Sequence, residues 1–101
     1  MNKNLYHKEI EFPEDMREHL KICFVKAKCD DPNNEGYKRN KELQGKNYIT
    51  YKQLKRIKNF FDNFVGNQNE KSFLLNGGHK MKNWVNYELD FMRRNPKMTK
   101  K

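Results

Sequence analysis

The sequence predicts an all-α fold, a small single-domain bundle of about four helices. Three observations predict it. Apolar residues recur at three- and four-residue spacing along separate stretches, the period of one buried helical face. Proline, glycine and Asn/Asp clusters part those stretches, where they stop helices and favour turns. Alternation at the strand period never runs beyond a few residues, and the 101 residues contain no internal repeat. The length suits one domain, expected over residues 12–94, with an N-terminal arm over 1–11 and a basic, flexible tail over 95–101.

The first helix is announced by Pro13 and by Glu14, Asp15 and Glu18 in its first turns, where the helix dipole favours anions. Met16, Leu20, Cys23, Phe24 and Ala27 then mark one buried stripe. Asp30-Asp31-Pro32-Asn33-Asn34 ends it. A short second helix is expected over Glu35 to Gln44, with Gly45 as its stop. Tyr37 and Leu43 are its only apolar residues, so it must lean on its neighbours.

The third helix has the strongest local signal. Thr50 and Gln53 are spaced for a capping box, and Ile49 and Leu54 for the hydrophobic staple. Leu54, Ile57, Phe61 and Phe64 follow, joined by Phe60 and Val65, and Gly66 closes the helix. The apolar arc spans roughly 140° of the helical wheel. Lys52, Lys55, Arg56, Lys58, Asn59 and Asn63 lie on the other side, with Asp62 the only acid among them.

Ser72 to Leu75 reads either as a helical turn or as an extended link that plugs the core. Asn76 is placed to cap the fourth helix, and Gly77-Gly78 to turn the backbone into it. That helix is expected from about His79 to Arg94, with Met81, Trp84, Val85, Leu89 and Met92 on one face and Phe91 beside them. Arg93 and Arg94 suit its C-terminal end, and Pro96 stops it.

Composition narrows the function. Lys and Arg number 22 against 13 Asp and Glu, a formal net charge of +9. Lysine and asparagine share A-rich codons, so an AT-rich genome inflates both, and composition alone does not speak for binding. Position does. Residues 1–34 carry a net −1, and residues 35–66 and 67–101 carry +5 each, an asymmetry that a charged binding face produces. Apolar runs are short, as at Phe73-Leu74-Leu75, so no membrane span is expected. Nor is a secretory signal, since no apolar segment follows Met1 to Leu5. Two cysteines fit reduced thiols better than a disulfide framework.

The basic face of the third helix is the leading site. Its cations track phosphates and its amides suit base edges. The expected contact set is Lys52, Lys55, Arg56, Lys58, Asn59 and Asn63, with Arg93 and Arg94 from the fourth helix; a solvated face is the plainer alternative. A helix-turn-helix built from the second and third helices is permitted by their length and charge. The long Gly45–Thr50 connection and Lys41, where a small residue normally sits, weigh against it.

Other constellations carry less. His19 and Cys23 stand at i and i+4, but no second ligand pair accompanies them, so neither a metal nor a cofactor is expected. Cys23 lies on the apolar stripe with no base to activate it. Glu88 falls within the apolar arc of the fourth helix and is expected to pair with a Lys, Arg or Tyr of a neighbouring helix. Asn76-Gly77-Gly78 lacks the spacing of a nucleotide-binding loop. An enzyme would need a cleft joining Glu88 to His19 or His79, so a non-enzymatic role is expected.

Gly36-Tyr37-Lys38-Arg39, then Ile49 to Asp62 with its Lys55-Arg56-Ile57-Lys58 core, then Leu75-Asn76-Gly77-Gly78 with Met81 and Trp84-Val85, carry a resemblance. Over roughly residues 12 to 92 the chain resembles short proteins encoded by tailed bacteriophages, in which a Lys-Arg-Ile-Lys helix precedes an Asn-Gly-Gly turn and a Trp-bearing helix. The resemblance implies a viral origin, a bacterial cytoplasm and incorporation into a virion as a further setting, and it brings no activity. The expected partner is nucleic acid, DNA or RNA. The alternative is a protein-binding module, either a virion component or an inhibitor of a host nucleic-acid enzyme, marked by an apolar patch of Phe73, Tyr87 and Phe91.

Overall fold

A computed structural model describes residues 9–67 and 70–94. The elements run β1 (Glu9–Glu11), α1 (Glu14–Ala27), α2 (Glu35–Gln44), β2 (Tyr48–Thr50), α3 (Tyr51–Asn63), α4 (Lys71–Leu75) and α5 (Gly78–Arg94). The fold is thus mostly helical, with five helices among the described residues and a small antiparallel sheet in place of a plain four-helix bundle. The basic tail and most of the N-terminal arm lie outside the described residues.

The sheet is the main departure from the all-α expectation. Glu9 pairs with Thr50, Ile10 with Ile49 and Glu11 with Tyr48, and Phe12 N–H extends the ladder to Asn47 O at 2.9 Å. Ile10 and Ile49 point into the core while their neighbours face outward. Each strand has three residues, too few for a period of two to stand out. The seam is locked by Arg17, whose Nη1 donates to Phe12 O at 2.6 Å and Lys46 O at 3.3 Å.

α1 packs on α2 and α4, while α3 packs on α5. Met16, Leu20, Cys23 and Ala27 fill the inner face of α1 as their spacing requires. Phe24 sits at the edge, its ring 5.0 Å from that of Tyr37 and under the Lys41 ammonium, also at 5.0 Å. α1 stops earlier than Pro32 alone would require, because Lys28 takes a left-handed φ of 53°.

α2 has the expected bounds and an unexpected interior. Its innermost side chain is Asn40, fully buried. Asn40 Nδ2 donates to Leu20 O at 3.1 Å and Leu75 O at 3.0 Å, and its Oδ1 accepts from Gln44 Nε2 at 2.6 Å. One amide therefore joins α1, α2 and α4.

α4 is the helical turn and not the extended link, and it plugs the core with Phe73 and Leu75. The turn after it corrects the expected capping. Asn76 serves α4 and α2 rather than α5: its Nδ2 donates to Ser72 O at 2.9 Å and its Oδ1 accepts from Arg39 Nη1 at 2.8 Å. Gly77, at φ 103°, then lets α5 begin at Gly78.

α3 carries the expected cap. Gln53 N–H donates to Thr50 Oγ1 at 3.2 Å, and Thr50 N–H donates to Gln53 Oε1 at 2.8 Å. Both staple residues, Ile49 and Leu54, are fully buried. Thr50→Ala is expected to cost about 1 kcal/mol, read as a fall in Tm of about 5 °C; an unchanged Tm would show that the cap contributes nothing. The helix ends at Asn63, short of the expected Gly66. Phe64 adopts an extended conformation that lays its ring 5.0 Å from Phe73 and 5.6 Å from Phe60. Val65 is then thrown outward, 92% exposed, and is no core residue.

Candidate nucleic-acid interface

α3 presents one polar stripe because its buried residues leave no room for another. Leu54, Ile57 and Phe61 turn inward, and Lys52, Lys55, Arg56, Asn59 and Asn63 on the far side are all exposed. At 1.5 Å per residue the stripe runs about 16 Å along the axis. Lys52, Lys55 and Arg56 form no ion pair among the described residues. Their charge is therefore left for an external anion.

The other three expected contacts do not join this stripe. Lys58 sits at the α3–α5 junction, where its Nζ donates to Asp62 Oδ1 at 3.3 Å and to Asn86 Oδ1 at 3.1 Å. Arg93 and Arg94 both turn to one carboxylate, Asp90, at 2.7 and 3.1 Å. Helical spacing brings them there: Asp90 lies three and four residues before them, one turn back on the same side. Lys58 and Arg93 line an open groove of about 480 Å³ with Asn83, Asn86, Tyr87, Leu89 and Asp90. The eight residues thus divide into a stripe on α3 without ion pairs and an ion-paired set, Lys58 of α3 with Arg93 and Arg94 of α5.

The stripe borders a larger groove, of about 610 Å³. Arg56, Asn59 and Asn63 form one wall; Arg39 of α2 forms part of the other, and Phe60, Phe64 and Val65 line its apolar part. Arg39 and Arg56 also flank a narrow crease between α2 and α3. Two carboxylates belong to these surfaces, Glu70 in the groove and Glu42 in the crease. Glu70 Oε1 accepts from Asn67 N–H at 3.1 Å, and Glu42 lies 3.8 Å from Lys46 Nζ. Arg56 has no such partner.

No family model, curated protein or solved structure matches the chain. The geometry alone carries the functional reading.

Sequence reasoning missed Arg39, Phe60, Phe64, Val65, Glu70 and Ser72 of the groove. Arg39 was visible only as one cation of a weakly patterned helix. The two phenylalanines read as core, and they do pack against it; they are half-buried rather than buried because the helix ends beneath them.

The helix-turn-helix alternative fails on packing. The connection from α2 to α3 passes through β2, and α2 packs on α1 and α4. Lys41, exposed over Phe24, faces away from any such contact.

His19 and Cys23 do meet, with Sγ 3.3 Å from Nε2, but Nε2 also lies 3.0 Å from Gly77 O. A carbonyl only accepts, so Nε2 carries a proton and offers the sulfur no base. Burial pushes the Cys23 thiol above its usual range, against a smaller opposing pull from Lys26. Among the described residues no three His, Cys, Asp or Glu side chains converge as metal ligands. Glu88 is buried on the face of α5 that carries Met81, Val85 and Met92, and the depressions lined by His19 and His79 do not include it. No helix among the described residues is long and apolar enough to cross a membrane.

Proposed function

We propose that this chain is a small, basic, non-enzymatic protein that binds nucleic acid through α3. Lys52, Lys55 and Arg56 hold phosphates, and Asn59 and Asn63 add polar contacts at the C-terminal end of the stripe. On the resemblance given above, the protein is of phage type and acts in a bacterial cytoplasm or a virion. The observation that supports the reading is the set of three exposed cations that no carboxylate of the described structure neutralises. Lys58, Arg93 and Arg94 contribute less, because each already answers a carboxylate.

Mobility shift against duplex and single-stranded DNA at 50 and 200 mM salt tests it. Three phosphate contacts on a duplex predict an affinity loss of about 40-fold between those salt concentrations. Lys52→Glu/Arg56→Glu should weaken binding by more than tenfold at the lower salt and flatten the salt slope. Binding by that variant equal to the parent, or a parent affinity indifferent to salt, overturns the proposal.

An exposed apolar patch of residues such as Phe73, Tyr87 and Phe91 would favour the protein-docking alternative. Phe73 is instead a core residue, 5% exposed, which leaves Tyr87 and the half-buried Phe91 with ring centroids 6.5 Å apart. That is a small surface for a protein partner, and the α3 reading is preferred.

A further inference from the structure

The groove beside the stripe says which form of the polymer the surface suits. We infer that it takes an unpaired nucleotide, the base laid against Phe60 and Phe64 and the phosphate held by Arg39 and Arg56; this rests on the reading of α3 as the nucleic-acid face.

The apolar lining is the first argument. Phe60 and Phe64 are half-buried, with ring centroids 5.6 Å apart and planes tilted by 40°. They form a short aromatic surface in a groove whose polar lining is two arginines, Asn59, Asn63, Ser72 and the carboxylate of Glu70. A duplex turns its phosphates outward and its bases inward, so it has nothing to set against phenyl rings. An unpaired base does, because stacking is open to every base. Val65 extends the same surface outward at 92% exposure, an apolar area that water alone would not favour.

Charge supplies the second argument. Arg39 and Arg56 reach the groove from different helices, and both also flank the crease between them. Glu42 lines the crease and Glu70 the groove, so the two guanidinium groups meet one carboxylate on each surface, and the surplus of positive charge in the groove attracts a further anion. Arg39 commits one Nη to Asn76, which fixes its direction and leaves its other donors available. Arg56 has no partner in the described structure.

The amides give the third. Asn63 Nδ2 is tied to Asn59 O at 2.9 Å, leaving Asn63 Oδ1 to accept from an N–H of a base, such as the ring N–H of thymine. From the groove, Lys55 and Lys52 continue along α3 as a track for the neighbouring phosphates.

Fluorescence anisotropy of the full chain separates this inference from the reading beneath it. Three probes are needed: an oligothymidine, an abasic strand of equal length, and a duplex of the same length. The abasic strand keeps every phosphate and removes every base. The expected result is binding of oligothymidine about tenfold tighter than either the abasic strand or the duplex. Phe64→Leu, which keeps the apolar volume, should bring oligothymidine to within about threefold of the abasic strand while leaving abasic affinity unchanged; its helical circular dichroism checks the fold. Equal affinity for oligothymidine and the abasic strand overturns the inference and leaves the α3 reading intact. Tighter binding of the duplex does the same. A tenfold base preference that survives Phe64→Leu removes the assigned stacking surface. Binding to none of the three probes overturns both.

Discussion

Asn40→Ala is expected to lower the stability of the fold by about 3 kcal/mol. The substitution removes both donors that reach Leu20 O and Leu75 O and the acceptor that holds Gln44. It also opens a cavity at a fully buried position. Each buried polar group left without a partner costs roughly 1–3 kcal/mol, and the cavity adds to that. Thermal unfolding should register a Tm about 15 °C lower. A loss below about 1 kcal/mol would mean that the amide does not hold α1, α2 and α4 together. Asn40→Asp sharpens the test. Its carboxylate would face two carbonyl oxygens, so the folded state favours the protonated form and raises its pKa. Relative to the parent, that variant should be least destabilised at low pH, and its deficit should grow as pH rises from the ordinary carboxylate range toward the raised folded value.

Gly77→Ala is the second large effect expected, about 4 kcal/mol. The backbone at Gly77 has φ 103°, where a side chain is strained. An added Cβ would also lie 2.4 Å from Met81 Cβ and 3.3 Å from Leu20 Cδ2. Met81 Cβ is fixed to its helix, so α5 itself must shift. Because Gly77 O also receives His19, the shift would loosen α1 from the turn. Urea unfolding should show the midpoint fall with little change in slope. Unchanged stability would show that the turn has room the geometry does not give it.

These two positions also show where sequence reading reached and where it stopped. The capping box of α3 and the bounds of α2 were legible because their signals are local, a few side chains acting on neighbouring backbone. Asn40 was not. A single asparagine on a polar helix looks the same whether it meets water or two carbonyls from other elements and an amide of its own helix. The β1–β2 pairing was hidden for a related reason, since its partners stand about forty positions apart and each strand is three residues long.

At the site, the exposed stripe followed from helical periodicity, which places Lys52, Lys55, Arg56, Asn59 and Asn63 together. Periodicity could not show that Lys58 would turn to Asn86, because that depends on where α5 lies. The groove needed the early end of α3 at Asn63, the outward swing of Val65 and the approach of Arg39 from another helix. None of these is a property of one segment.

The pairing of Ile10 with Ile49 makes the chain between them a closed loop that contains all of α1 and α2. Closing a flexible loop of that length costs about 3 kcal/mol of chain entropy. Three residue pairs offset little of this by themselves, so the seam depends on the core that the helices assemble around its two isoleucines. Since Thr50 is at once the last residue of β2 and the cap of α3, the start of α3 is anchored to the opposite end of the loop.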